Sequence, residues 1–196
     1  MKGLSDMKQL VYRALVATLL LVLLTGIVYP LIVTGLVQAI CKNQANGSLI
    51  MQNGQVVGSR LIGQNFSKPE YFHPRPSAAG NQGYDASSSS GSNLGPTNAR
   101  LQANVKANLN RVLAENPTAT PGQVPVDLVT TSASGIDPHI TPASAKLQIA
   151  RVAKVRGMDE KKLTHLVEQF TEGRQFGLLG EPRVNVLLLN MALDRI

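Results

Sequence analysis

The feature that most constrains this chain is a stretch without any charged side chain, which runs for 28 residues from Ala14 to Cys41. At about 1.5 Å of rise per residue, a helix of this length measures about 42 Å. The hydrocarbon core of a bilayer is about 30 Å thick, so the helix is long enough to cross it. Pro30 lies inside the stretch and predicts a bend. We therefore expect one transmembrane helix over residues 14–41.

A cleaved signal peptide is the alternative interpretation of this stretch. Basic residues precede it at Lys2, Lys8 and Arg13, and Val37-Gln38-Ala39 fits a loose cleavage pattern. However, the apolar part of a signal peptide is about 7–15 residues long, and this stretch is nearly twice that length. The length favours a retained anchor.

The charges on either side of the span predict its orientation. The three basic residues stand before the span, whereas only Lys42 follows it closely. Basic residues favour the cytoplasmic side, so we expect residues 1–13 to be a short cytoplasmic N-terminus. Residues 42–196 then form one extracytoplasmic domain, anchored by a single pass in the cell (inner) membrane. The span contains no ionisable residue, so we do not expect it to conduct ions alone.

The pattern of the remaining residues predicts an α+β domain with a hairpin and several helices. Two apolar runs flank Asn53-Gly54, which is the strongest short signal for a β-hairpin. Residues 63–98 are rich in Gly, Ser, Pro and Asn, and we interpret them as an ordered, functional loop. Residues 124–131 are predicted to form a short strand. Positive charge is spread thinly, which argues against a nucleic-acid partner.

Helices are predicted mainly in the second half of the chain. Thr97 or Asn98 can cap the first of them, which ends before Pro117. Thr141 followed by Pro142 predicts the start of the second, and Gly157 its end. Asp159 caps the third, which stops near Gly173. Pro182 is predicted to open the last, with Val184, Leu187, Leu188 and Met191 on one face.

The search for catalytic chemistry leaves one candidate base. The sequence contains no phosphate-binding loop, zinc-protease helix or nucleophile elbow. His139 follows Asp137-Pro138 and could pair with a carboxylate as a general base. In the other interpretation, Asp137 caps backbone amides in a turn. A membrane-anchored extracytoplasmic hydrolase that uses His139 or a serine, or an anchored binding module, therefore remains an alternative.

Four segments carry a more specific resemblance. They read GSRLIGQNFSKPEYFHPRPSA at residues 58–78, SGSNLGPTN at 90–98, SASGIDPHITPASAKLQIARVAKVRG at 132–157 and GRQFGLLGEPRVNVLLLN at 173–190. Together with the basic N-terminus and the single span, they closely resemble the C subunit of the Kdp-type potassium-transporting P-type ATPase of bacteria and archaea.

The resemblance implies a non-catalytic subunit of a four-part potassium pump. Its implied partners are an A subunit with the potassium pathway, a B subunit that hydrolyses ATP, a small F peptide and membrane lipid. The C subunit of that family is held to be needed for assembly, and it is described as a catalytic chaperone that raises the ATP affinity of the B subunit. ATP and potassium are thus handled by the complex, and no cofactor is assigned to this chain itself. Because ATP is cytoplasmic, an extracytoplasmic domain would have to act indirectly, or act as a clamp over the outer mouth of the potassium pathway.

Site residues follow from the same segments. We expect no catalytic residue and no metal ligand in this chain. The functional interpretation is contact with the A subunit or a polar network that shapes this contact. In the structural interpretation, the glycines and prolines set turns while Arg75 and Arg183 tie the loop to the helices. The candidate residues are Arg75, Ser77, Ser92, Asn93, Asp137, His139, Arg174, Gly180, Arg183 and Asn185.

Overall fold

A long apolar helix begins the chain in the computed structural model, which describes residues 2–196. It consists of α1 (Lys2–Leu23), a π-helical turn (Leu24–Val28) and α2 (Tyr29–Ile40), and a short α3 (Lys42–Ala45) follows. The part from Asp6 to Ile40 contains an 18-residue window with a mean hydropathy of 2.5 and is long enough to cross a membrane. The chain divides into two compact units between Leu49 and Ile50.

The π-helical turn lies directly before Pro30. Proline has no backbone N–H, and in an α-helix its ring collides with the carbonyl group four residues earlier. In a π-helical turn the hydrogen bonds join residues five apart, so the turn is wider and relieves this collision. Such turns are a known cause of helix bending. Thr25 lies within the turn, and its hydroxyl donates a hydrogen bond of 2.7 Å to the carbonyl oxygen of Leu21.

The predicted hairpin is confirmed. β1 (Leu49–Gln52) pairs with β2 (Gln55–Ser59) in a two-stranded sheet. The turn residues Asn53 and Gly54 have φ angles of 51° and 78°. Two positive φ angles are what a tight two-residue hairpin turn requires, and Asn-Gly adopts them readily.

Three helices begin at the predicted caps. They are α4 (Ala99–Glu115), α5 (Pro142–Arg156) and α6 (Glu160–Gln169). The side chains of Asn98, Thr141 and Asp159 each accept a hydrogen bond from a backbone amide in the first turn. Gly157 ends α5 with a φ angle of 65°, which glycine adopts without steric cost.

Two predictions of secondary structure are wrong. Residues 124–131 form no strand; they contain the 3₁₀ turn Val126–Leu128, where Leu128 is buried. Pro182 does not open a helix, because the next three residues form a strand, β5 (Arg183–Asn185), and α7 (Val186–Leu193) begins after it. The side chain of Asn185 caps α7 by accepting a hydrogen bond from the amide of Leu188. In both places tertiary contacts override the local pattern.

A small antiparallel sheet holds the helical part together. β5 is central, with β3 (His139–Ile140) on one side and β4 (Thr171–Glu172) on the other. Val184 of β5 is fully buried where it faces Ile140 and Thr171. The fold class is thus confirmed as mixed helix and sheet, with one long apolar helix at the N-terminus. The core consists of Phe72, Ile140, Ala145, Ile149, Val152, Ala153, Leu163, Leu166, Val167, Val184, Val186, Leu189 and Leu193.

Candidate functional site

The first polar feature of the domain is a docked segment, residues 69–73, held by side-chain amides from two helices. Asn190 of α7 accepts a hydrogen bond of 2.9 Å from the amide of Phe72 and donates one of 2.9 Å to its carbonyl oxygen. Gln148 of α5 does the same for His73, at 2.7 and 3.1 Å. Both amide side chains are buried. They satisfy the backbone of the docked segment as a neighbouring strand would.

Two arginines complete the docking. The guanidinium of Arg151 donates to the carbonyl oxygens of Pro69 and Tyr71. Arg156 donates at 2.8 Å to the carbonyl oxygen of Glu70, and it also pairs with the carboxylate of Asp194 at 2.7 Å. Every backbone carbonyl from residue 69 to 73 therefore accepts a hydrogen bond from a helix side chain. This segment of the loop is ordered, as the sequence predicted.

The side chain of His73 joins the docked segment to α4. Its Nδ1 atom lies 3.1 Å from the carboxylate of Glu115, and its Nε2 atom lies 3.0 Å from the carbonyl oxygen of Lys68. Both ring nitrogens of His73 therefore lie within hydrogen-bonding distance of an oxygen atom. Burial opposes the ionisation of Glu115, but the hydrogen bond and charge of His73, aided by Arg111, outweigh it and hold the pKa of Glu115 below its usual value.

The second feature is a polar cluster beside β3, which we define as Arg75, Asp137, His139 and Arg183. These four predicted residues line one shallow depression of about 170 Å³. The Arg75 guanidinium donates a hydrogen bond of 2.9 Å to Asp137. The other oxygen of Asp137 accepts from the backbone amide of His139 at 3.3 Å. Asp137 therefore caps a turn, as one of the two sequence interpretations predicted.

Among the residues that the structure describes, no carboxylate lies within hydrogen-bonding distance of the His139 ring, as a catalytic dyad would need. Burial lowers the pKa of His139 below its usual value, and Arg183 lowers it further, while Glu172 and Asp137 act in the opposite direction. These surroundings favour the neutral form of the ring. The carboxylate of Asp137, which would orient His139 as a general base, instead binds Arg75 and the backbone amide of His139.

The lowered pKa of His139 predicts a dependence of stability on pH. The folded state binds a proton at His139 less readily than the unfolded state does. The contribution of neutral His139 to the free energy of unfolding is therefore complete above about pH 6.5, and it is lost as the pH falls through the folded pKa. We expect the urea midpoint of unfolding to decrease between pH 7 and 5.5, and the variant His139→Gln to show a smaller decrease. His165→Gln, at an exposed histidine, is the control and should retain the wild-type slope. An unchanged slope in His139→Gln would contradict this assignment.

Ser77 organises the neighbouring loop. Its hydroxyl oxygen accepts hydrogen bonds from the amides of Ala79 and Tyr84, at 3.2 and 3.1 Å. The Tyr84 hydroxyl donates at 2.8 Å to the carbonyl oxygen of Arg75, and burial raises the pKa of Tyr84 to about 12. The loop also touches the segment before β3 so closely that a Cβ at Gly135 would collide with the backbone of Asp85.

The remaining predicted residues are distributed more widely. Asn185 pairs with His139 across the sheet and donates at 2.9 Å to the carbonyl oxygen of Arg60. One terminal nitrogen of Arg174 donates to both carboxylate oxygens of Glu181, at 2.8 and 2.7 Å, and Gly180 precedes that glutamate with a φ angle of 77°. By contrast, the structure does not bring the exposed Ser92 and Asn93 into the polar cluster.

The suggestion that Arg75 and Arg183 tie the loop to the helices is wrong. Arg75 binds Asp137 in the turn before β3. Arg183 binds Glu172 on the adjacent strand at 3.0 Å. The residues that do tie the loop to the helices are polar side chains that the sequence interpretation missed: the buried Gln148, Arg151 and Asn190, and the partly buried Arg156. A signal was present, since Gln148 and Asn190 interrupt apolar helix faces.

Comparison with known proteins identifies the family. The family model described as the C chain of the K⁺-transporting ATPase matches residues 11–195. The chain belongs to the KdpC family. The resemblance inferred from the four sequence segments is thereby confirmed, and the long apolar helix fits the membrane localisation of such a subunit.

Relatives of the KdpC family cover nearly the whole chain. A protein of Koribacter versatilis is 56% identical over 188 residues, which are 96% of this chain and 95% of the relative. A protein of Myxococcus xanthus is 58% identical over 173 residues, covering 88% and 81%. A third, from Gemmatimonas aurantiaca, is 54% identical over 190 residues, covering 97% and 94%. Each is named as the KdpC subunit of a potassium-transporting ATPase.

Proposed function

We propose that this chain is a non-catalytic, single-pass subunit that assembles and stabilises a potassium-transporting ATPase. The partners in this proposal are the potassium-translocating A subunit, the ATP-hydrolysing B subunit and the small F peptide. The observation that carries the non-catalytic role is the engagement of Asp137. Its carboxylate binds Arg75 and a backbone amide, so it braces a turn and leaves His139 without an orienting partner.

The proposal includes the topology expected from the sequence. Residues 1–13 are cytoplasmic, residues 14–41 span the inner membrane and residues 42–196 are extracytoplasmic. The basic residues before the span support this orientation. The domain then acts as a clamp at the outer mouth of the potassium pathway. An increase in the ATP affinity of the B subunit would be transmitted through the span, because the domain and ATP are on opposite sides of the membrane.

The assembly test is a purification of the tagged chain in mild detergent from cells starved of potassium. We expect two larger membrane subunits to co-purify and the preparation to hydrolyse ATP in a potassium-dependent manner. The chain expressed without its partners should hydrolyse no ATP. Recovery of the chain alone from the starved cells would contradict the proposal.

Orientation is tested by labelling single cysteines. Cys41 is the only cysteine, so Cys41→Ser provides a background without thiols. In intact spheroplasts, we expect a membrane-impermeant maleimide to label the exposed position 88 of Ser88→Cys, and to leave Asp6→Cys unlabelled until the membrane is broken. The reverse pattern would place the domain in the cytoplasm and refute the clamp, while leaving the assembly test unaffected.

A further inference from the structure

The molecule has an exposed apolar loop tip that none of the features described above uses. The tip consists of Phe176, Leu178 and Leu179, which lie between β4 and β5. Their exposed fractions are 92%, 79% and 61%. Isolated apolar residues are common on protein surfaces, but three large ones adjacent in one loop mark a binding surface.

The backbone of this loop is fixed by its own hydrogen bonds. The amides of Gln175 and Leu179 each donate to the carbonyl oxygen of the other residue, at 2.9 Å. The ion pair of Arg174 with Glu181 closes the base of the loop. The loop therefore holds its apolar side chains in solvent without depending on contacts between them and the core.

Phe176 adopts a conformation that is unfavourable for a bulky residue. Its φ angle is 53°, in the left-handed region that glycine, asparagine and aspartate tolerate best. Strain of this kind persists where the surrounding structure holds it, and it is concentrated at binding and catalytic sites. A rigid loop that already presents its side chains loses little conformational freedom when it binds.

The charge of the loop distinguishes between a protein and a lipid partner. From residue 173 to 181 the only charged side chains are Arg174 and Glu181, and each neutralises the other. Segments that insert into membrane interfaces combine apolar residues with tryptophan, tyrosine or free basic residues. This loop has none of these, and a neutral apolar tip fits an uncharged apolar groove in a protein.

We propose that the loop tip inserts into an apolar groove of another subunit of the potassium-transporting ATPase and is the principal anchor of the domain on that subunit. This inference rests on the proposed function and adds to it the residues that make the contact. Phe176 fills the centre of the groove, with Leu178 and Leu179 beside it, as buried aromatic residues do at the centres of interfaces. Arg174 and Gly180, both predicted from the sequence as partner contacts, then act by holding the shape of the loop.

The test uses the full-length tagged chain, co-expressed with the other subunits and purified in mild detergent. The loop variant is Phe176→Asn with Leu178→Asn, because asparagine is polar and tolerates a positive φ angle. The control is Val126→Asn with Ile136→Asn, at two apolar residues of the same domain that are 70% and 55% exposed. We expect the control to recover the other subunits as the wild type does, and the loop variant to recover at least about tenfold less.

The unfolding midpoints of both variants must match that of the wild type, which excludes misfolding as the cause. Recovery of the other subunits by the loop variant at the wild-type level would overturn the inference while leaving the proposed function intact. Failure of the wild type itself to recover them would refute the proposed function, and this inference with it.

A second measurement detects a lipid partner. The chain contains no tryptophan, so Phe176→Trp introduces a single tryptophan at the loop tip, which can be excited apart from the four tyrosines. The variant chain alone is reconstituted in vesicles of brominated phosphatidylcholine and phosphatidylglycerol. We expect the brominated lipids to quench the fluorescence of its tryptophan no more than that of the control Val126→Trp. Strong quenching of the tryptophan at position 176 only would show that the tip enters the bilayer, and would overturn the assignment to a protein groove.

Discussion

The variant Phe72→Ala is expected to lower the free energy of unfolding of the domain by about 3–5 kcal/mol. Phe72 lies in the docked segment and is fully buried against the core of the helical domain. Its removal takes away apolar contacts and leaves a cavity that the surrounding helices fill only in part. Urea unfolding of the full chain in mild detergent, followed by circular dichroism, measures the change.

The matched control for this variant is Phe176→Ala. The same atoms are removed, but from a side chain that is 92% exposed. The free energy of unfolding of the isolated chain should therefore change by less than about 0.5 kcal/mol. Equal losses in the two variants would show that Phe72 is not part of the core.

Asn190→Leu is expected to lower the free energy of unfolding by about 2–6 kcal/mol. Leucine has a similar size but neither donates nor accepts hydrogen bonds. The amide and the carbonyl group of Phe72 would both lose their side-chain partner, and an unsatisfied buried group costs about 1–3 kcal/mol. We also expect faster proteolysis near residues 69–73, because the docked segment would be held mainly by Gln148 and the two arginines.

Asn104→Leu on α4 is the control for the loss of an amide, since Asn104 is exposed. Its effect on the free energy of unfolding should stay within about 0.5 kcal/mol. If Asn190→Leu is as stable as this control, the two hydrogen bonds to Phe72 make no net contribution to the free energy of unfolding. The docked segment would then depend on its apolar contacts alone.

The elements predicted correctly are those whose signals are local. The Asn53-Gly54 turn and the caps at Thr141 and Asp159 each act within a few residues, so a short window of sequence contains the whole cause. The long apolar helix is predicted for a similar reason, because hydropathy over one continuous stretch indicates it.

The short strands could not be predicted in this way. β3 and β4 have only two residues each, and they are strands because β5 lies between them. Val184 suits a helix face as well as a buried strand, and its pairing with Ile140 decides between the two. That pairing joins residues far apart in sequence, which no local window contains.

The candidate site was predicted in part. Arg75, Asp137, His139 and Arg183 were identified individually, and the structure places them around one depression. The sequence did not reveal which groups these four side chains bind, because the partner of each one is brought near only by folding. Gln148 and Asn190 interrupt apolar helix faces, but the groups they bind could not be predicted, because backbone groups have no sequence signature at the position where they are bound.

The docking of residues 69–73 by side-chain amides also sets an order of events during synthesis. Asn190 follows Phe72 by 118 residues, and Gln148 follows His73 by 75. At about 5–20 residues per second, the ribosome adds Asn190 on the order of ten seconds after Phe72. Throughout that interval the backbone of Phe72 has no amide partner from α7. The domain therefore cannot complete its core while it is still emerging, and its final packing waits for the last helix to leave the ribosome.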